Sequence, residues 1–245
     1  MTAPRPQAVV LAARHAVHSD PARRIGEACR SALLGAYAVG LTLAADAALA
    51  QRVSLCAAGR LAARGEALQL SLGEGPCIQA LSQGARVLVS DLDDTDAIRP
   101  WPVYAGRAKA SGIRAVFCLP VLSGLDPARR AGLVLSLYRD RPGPICEADL
   151  DLAQDHADAV DLLLLADPAP AGEEVASAWL LPTDAVIHQA VGMISYRYAL
   201  TVGQALALLR AHAYTQGTDL ASLAHAVVHE HLALPDPSPP GSGDS

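Results

Sequence analysis

Five cysteines are the residues in this sequence whose chemistry would be easiest to recognise. They stand at positions 29, 56, 77, 118 and 146, and no two of them form a C-x-x-C pair. The odd number and wide spacing argue against a disulfide framework and against a cysteine-only zinc site. Cys77 follows Pro76 at a predicted helix start, where the helix dipole would lower the pKa of its thiol. The sequence favours reduced cysteines that pack as small hydrophobic residues, and a thiol reductase is the remote alternative.

Two other clusters have residue types that bind metals. The first is an acidic run: Asp91, Asp93, Asp94 and Asp96. The second is a histidine group: His225, His229 and His231. We interpret the acidic run as a solvated turn, and no third ligand accompanies the two histidines that share a helix face. No Ser-His-Asp set, phosphate loop or paired carboxylate set is evident, so we expect no catalytic residues, no metal and no cofactor.

The composition restricts the class of protein. The chain of 245 residues is 51% hydrophobic and 18% charged, with a formal net charge of −6. This composition excludes a wholly disordered chain. Its acidity argues against strong non-specific binding to nucleic acid, which needs a basic face. The apolar stretch at 8–13 is too short for a signal peptide, and no run reaches the length of a membrane helix. We therefore expect a cytoplasmic protein that does not enter a membrane.

The pattern of the first 166 residues alternates between helices and strands. Apolar periodicity and Gly/Pro punctuation predict helices near 21–34, 76–83, 101–111 and 147–166. Strands are predicted at 37–44, 52–57, 87–89, 115–122 and 132–138. Five strands with helices between them indicate an α/β or α+β sandwich of about 150 residues.

A second, smaller module follows. It reads as three helices: the first spans Thr183–Tyr198, the second begins after an N-cap at Thr201, and the third begins after Thr218. Gly217 is the predicted stop between the last two. We predict an N-terminal extension at 1–20, the sandwich domain at 21–166, a linker at 167–178, the helical module at 179–234 and a disordered tail at 235–245.

The loop that opens the helix near position 76 carries a resemblance to a known family. It contains the residues Gly73, Glu74, Gly75, Pro76 and Cys77. With the order of elements and the long final helix, this loop resembles that of a GAF domain over residues 21–166. The resemblance implies a GAF-type sandwich with a five- or six-stranded antiparallel sheet. It also implies a sensor or dimerisation role, with a small-molecule ligand whose identity the family does not fix.

The helical module is similar to an ANTAR domain, the RNA-binding output domain of bacterial transcription antitermination regulators. The matching positions are Ala190, Gly192, Ala205, Leu209, Arg210, Ala213 and Ala224. The order GAF then ANTAR is a familiar arrangement in actinobacteria. The resemblance implies a homodimer that binds tandem RNA hairpins in nascent transcripts and prevents a terminator from forming, under control of the GAF domain.

The residues that would contact RNA are few. We select Arg197, Arg210, His212, Tyr214 and His188, because arginine contacts phosphates and aromatic rings stack on unpaired bases. Between positions 173 and 234 the sequence contains only those two arginines and five carboxylate residues. Two alternatives follow. Either RNA binding is weak and strongly salt-dependent, or the module has lost RNA binding and the protein is a dimeric ligand-sensing or interaction protein.

Gly192 stands in the middle of a predicted helix, where glycine costs about 0.5–1 kcal/mol relative to alanine. Together with the matching alanines it favours closely packed helices. The alternative is a bare backbone surface that RNA can approach.

Overall fold

The computed structural model describes residues 21–44, 52–121, 132–166 and 182–235. The predicted N-terminal extension, the linker and all but the first residue of the tail lie outside these residues. The chain divides into two compact units at positions 181 and 182. No helix among the described residues is long and apolar enough to cross a membrane.

The first unit is built on one antiparallel sheet. Its strands are β1 (Ala38–Ala44), β2 (Arg52–Ala58), β3 (Val87–Val89), β4 (Ala115–Val121) and β5 (Gly132–Arg139). They lie in the order β2-β1-β5-β4-β3, and each neighbouring pair is antiparallel. The predicted antiparallel sheet is confirmed, with five strands in the described part of the chain.

Helices cover both faces of this sheet. The first helices in chain order are α1 (Pro21–Ala32), α2 (Arg60–Leu72), α3 (Pro76–Gln83), α4 (Pro102–Ala110) and α5 (Glu147–Ala166). Buried residues of α1 and α5 form one core against the sheet, and buried residues of α2, α3 and α4 form a second core on its other face. Because β5 lies at the centre with both faces covered, all eight of its residues are buried. Its sequence is therefore a nearly continuous apolar run rather than an alternating one.

Helix α2 is the element that the sequence-based prediction omitted. Its buried face includes Ala62, Gly65, Glu66 and Gln69, at helical spacing. The spacing is that of an amphipathic helix, but of its buried residues only Leu70 is large and apolar. A search for apolar periodicity therefore passes over it.

The second unit contains the three predicted helices, α6 (Pro182–Tyr198), α7 (Val202–Gln216) and α8 (Leu220–His229). Thr201 caps α7, and Gln204 completes a capping box. Gly217 ends α7 with a φ of 64°, in the left-handed region that favours glycine. Helix α8 begins one residue later than predicted, because Asp219 is its N-cap: the Asp219 carboxylate accepts the backbone N–H groups of Ala221 and Ser222.

Candidate functional sites

The loop at 73–77 joins three helices of the first unit. Gly73 ends α2 with a φ of 69°, and Gly75 precedes α3 with a φ of 137°. The Oε1 atom of Glu74 accepts the backbone N–H of Tyr104 at 2.7 Å, in the first turn of α4. A carboxylate at a helix N-terminus satisfies an unpaired donor and favours the dipole. This loop thus has a structural role in the described residues.

A buried polar network connects this helix layer to the sheet. Glu66 on α2 accepts hydrogen bonds from the hydroxyls of Thr42 at 2.6 Å and Tyr138 at 2.8 Å. Gln69 donates to the Tyr138 oxygen at 2.7 Å, and its own oxygen accepts the N–H of Cys77 at 2.7 Å. The network ties β1, β5, α2 and α3 together. Sequence reasoning missed it because α2 itself was missed; the polar residues at positions 66 and 69 were the available signal.

Two glycines make room for the network. A Cβ atom at Gly40 would lie 2.1 Å from Oε1 of Glu66, and one at Gly65 would lie 2.2 Å from the ring of Tyr138. Separations this short are impossible without moving those side chains. The absence of a side chain at both positions is therefore a condition for burying Glu66 and Tyr138.

The thiols of the interior are poor nucleophiles. Burial raises the pKa of the Cys77 thiol to about 12, and the nearby Glu66 adds to the rise. Burial also raises the pKa of Cys118 well above its ordinary value, with Cys77 as a further cause. The expectation that a helix dipole lowers the pKa of Cys77 is therefore wrong, because desolvation dominates. Thiolate chemistry at neutral pH has no support at these positions.

The acidic run forms a turn bound to basic side chains. Asp93 pairs with Lys109 at 2.9 Å and with Arg114. The pKa of Asp93 lies below its ordinary value, chiefly because Lys109 donates a hydrogen bond to it.

In the second unit the ring centres of His225 and His229 lie 4.4 Å apart. Within the described residues, no group of three or more His, Cys, Asp or Glu side chains is placed to hold a metal ion.

The five residues selected for RNA contact differ in exposure and in the helix face that they occupy. Arg197 and Tyr214 are exposed, whereas Arg210, His212 and His188 are half-buried. On α7 a spacing of two residues turns the helix by about 200°, so Arg210 and Tyr214 share one face and His212 points elsewhere. His212 instead meets Gln216, with the two Nε2 atoms 2.8 Å apart. On α6 the nine-residue spacing of His188 and Arg197 places these two residues on opposite faces of the helix.

The seven residues at the matching ANTAR positions differ in burial, and Arg210 among them is half-buried. The structure buries five of them: Ala190, Ala205, Leu209, Ala213 and Ala224. Gly192 is exposed, and a Cβ atom there would meet nothing within 4 Å. The packing interpretation of Gly192 is wrong within the described chain, and its face of α6 is an open surface.

The groove beside Tyr196 in the second unit was not among the sites that the sequence predicted. Tyr196 is 93% exposed and precedes the exposed Arg197 at the end of α6. Both line a groove of about 590 Å³ together with residues that follow α8. The sequence signal was available, since positions 189, 192, 193 and 196 share a helix face that carries no large buried residue.

The chain is a two-domain protein, in which a sandwich with helices on both sheet faces is followed by a small helical module. The GAF domain family matches residues 20–164, and the ANTAR domain family matches residues 181–228. The chain therefore belongs to the GAF domain family and carries an ANTAR domain after it. Both are regulatory rather than catalytic families. A comparison with curated proteins finds none that matches the chain.

Proposed function

We propose that this protein is a cytoplasmic regulator that binds paired RNA hairpins in nascent transcripts through its ANTAR domain and promotes transcription antitermination. The observation that carries the proposal is the exposed pair Tyr196 and Arg197 at the end of α6, within the ANTAR match. An aromatic ring beside a guanidinium is the combination that unpaired RNA bases and their phosphates require.

The charge of the described ANTAR unit determines how it binds. Residues 182–235 contain two arginines and three carboxylates, and one of these carboxylates, Asp219, is engaged in capping α8. With so few cations, attraction to phosphates contributes little. Base stacking on exposed aromatic rings must then supply most of the affinity, which favours hairpin loops over duplex RNA.

The GAF domain supplies the control in this proposal. The hydroxyl of Tyr104 is enclosed on the α4 side of the sheet and has no hydrogen-bond partner among the described residues. A buried hydroxyl without a partner costs about 1–3 kcal/mol. An acceptor atom brought to this point would recover that cost, and the proposal that the GAF domain senses a ligand is supported by the family match.

Titration of the full-length protein with a two-hairpin RNA tests the proposal, with an RNA of identical stems and altered loops as the control. We expect binding to the first RNA and at least about tenfold weaker binding to the second. Arg197→Ala should weaken binding, whereas Arg99→Ala in the GAF domain should not. In transcription across the hairpins and a terminator, the protein should increase read-through. No binding at low salt, with both RNAs tested, overturns the proposal.

The second candidate is a dimeric interaction protein that does not bind RNA. The observation in its favour is the half-buried Arg210, which removes one of two arginines from the exposed surface of the unit. This candidate predicts a concentration-dependent dimer in sedimentation and no retention of either RNA. The titration therefore separates the two functions.

A further inference from the structure

Exposed large apolar side chains are concentrated in the ANTAR unit. Five of the nine in the described chain lie there, although the unit holds fewer than a third of the described residues. Three of these five line the same groove: Met193, Tyr196 and Leu232. Exposed apolar residues that cluster, unlike single ones, mark interaction surfaces.

The first wall of the groove is the C-terminal half of α6. Met193, Tyr196 and Arg197 recur there at a spacing of three and four residues, which places them on neighbouring positions of one helix surface. The guanidinium carbon of Arg197 lies 5.9 Å from the centre of the Tyr198 ring. This contact keeps the charge of Arg197 close to the groove.

The second wall is the segment after α8. His231 turns the chain with a φ of 55°, and the N–H of Leu232 returns to the carbonyl of Ala226 at 3.1 Å. Leu234 is buried, and its carbonyl accepts the hydroxyl of Tyr198. Because both ends of the short segment are held, the groove has two fixed walls.

The charge of the groove differs from that of its unit. Arg197 and His231 line it, and no carboxylate does. The acidic residues of the described unit stand at 184, 219 and 230. An apolar, aromatic groove with a cation at its edge fits a partner that carries both a flat ring and an anion. A nucleotide carries both, whereas an apolar peptide has no anion.

We propose that this groove holds one unpaired base from an RNA hairpin loop, stacked on Tyr196 beside Met193, with the adjoining phosphate bound by Arg197. The inference rests on the proposed function and names the part of the RNA that the ANTAR unit contacts. A volume of about 590 Å³ lies within the range of roughly 300–1,000 Å³ found for pockets that bind small ligands. The groove therefore has room for a single nucleotide.

Variants at Tyr196 in the full-length protein test the inference. We expect Tyr196→Ala to weaken binding of the two-hairpin RNA by about tenfold and Tyr196→Phe to preserve it, because the ring is what stacks. Val202→Ala, at an exposed apolar position outside the groove, is the matched control and should bind like the wild type. Since the Tyr196 side chain is almost fully exposed, its removal should leave the circular dichroism spectrum unchanged.

A second readout uses the wild-type protein without any substitution. The fluorescent base 2-aminopurine is placed in turn at each loop position of the RNA. We expect quenching at one position when the wild type or Tyr196→Phe is added, and none with Tyr196→Ala.

The outcomes distinguish the two proposals. If the wild type binds neither RNA, the proposed function fails. If it binds and Tyr196→Ala binds equally well, the groove proposal is overturned while the function stands. If Tyr196→Ala changes only the sedimentation of the protein, the groove seats a second copy of the chain and the proposal is likewise overturned.

Discussion

Two pairs of tyrosines, one in each domain, occupy opposite environments. In the GAF domain Tyr104 and Tyr138 are fully buried, and in the ANTAR domain Tyr196 and Tyr214 are 93% and 63% exposed. Tyr138 holds a polar network together, whereas Tyr196 stands at the edge of an open groove. A buried aromatic ring is explained by the fold that it stabilises. An exposed one contributes little to folding, and a cluster of such residues points to a partner.

Glycines show the same contrast. Gly65 faces the ring of Tyr138 so closely that no side chain fits, and Gly192 faces open space in the middle of α6. Gly65 is required because the packed interior of its own domain leaves no room for a side chain at that position. Gly192 costs helix stability without any packing contact among the described residues, which is consistent with a surface kept bare for a ligand.

The largest effect should follow from removing the centre of the buried network. Glu66→Ala leaves the hydroxyls of Thr42 and Tyr138 without their acceptor and opens a cavity, so we expect a loss of about 2–4 kcal/mol in the free energy of unfolding. Urea denaturation measures it. Glu27→Ala, at an exposed pair with Arg23, is the control and should cost under about 1 kcal/mol. Equal effects of the two substitutions would show that the network is not structural.

The same substitution at the two glycines should have opposite signs. Gly65→Ala forces a methyl group against Tyr138 and should destabilise by about 1–3 kcal/mol. Gly192→Ala improves helix propensity without a clash and should stabilise by about 0.5–1 kcal/mol. Thermal unfolding of both variants checks the signs. If Gly192→Ala were destabilised instead, the interpretation of Gly192 as part of an open surface would be contradicted.

Alkaline pH should destabilise the GAF domain. The pKa of the thiol is raised to about 12 in Cys29 and in Cys77, from an ordinary value of 9.0, mainly by burial. Above about pH 9 the unfolded chain releases these protons and the folded chain keeps them, so stability falls as pH rises. We expect a loss on the order of 1 kcal/mol per buried thiol for each pH unit above 9. Urea midpoints from pH 7 to 10.5 measure it, and a constant midpoint would contradict the burial of these thiols.

The two buried tyrosines should respond differently to loss of the hydroxyl. Tyr138→Phe removes a donor to Glu66 and should destabilise by about 1–2 kcal/mol. Tyr104→Phe removes a hydroxyl that has no partner among the described residues and should be neutral or stabilising by up to about 1 kcal/mol. Differential calorimetry of the ligand-free protein checks both. The order of the two effects is the informative result, and its reversal would place the network at Tyr104.

Most of the fold could be predicted from the sequence, because its signals are local. Short apolar runs, alternating in β2 and nearly continuous in β5, located the strands, and Pro21, Thr201 and Gly217 marked helix ends. Helix α2 could not be predicted from apolarity, since Glu66 and Gln69 fill its buried face and gain their partners only from distant strands. Asp219 and Thr218 are both of residue types that favour the N-cap position, and in the structure Asp219 takes it.

The candidate site was harder to predict than the fold. Arg210 and His212 look like surface residues in a list of residue types, yet the packing of α7 half-buries both. Conversely, the groove beside Tyr196 depends on where residues 231–234 return to α6. The expectation of strong salt dependence also changes: two arginines per unit limit the slope of log K against log salt to roughly −2 per chain.

The most direct test of the account replaces the unpaired loop bases of the two-hairpin RNA by abasic positions while the stems, the phosphates and the salt stay unchanged. If exposed aromatic side chains of the ANTAR unit supply the affinity, binding by the full-length protein should fall by at least about tenfold. Equal affinity for the intact and the abasic RNA would mean that phosphates alone are contacted, and it would contradict the account.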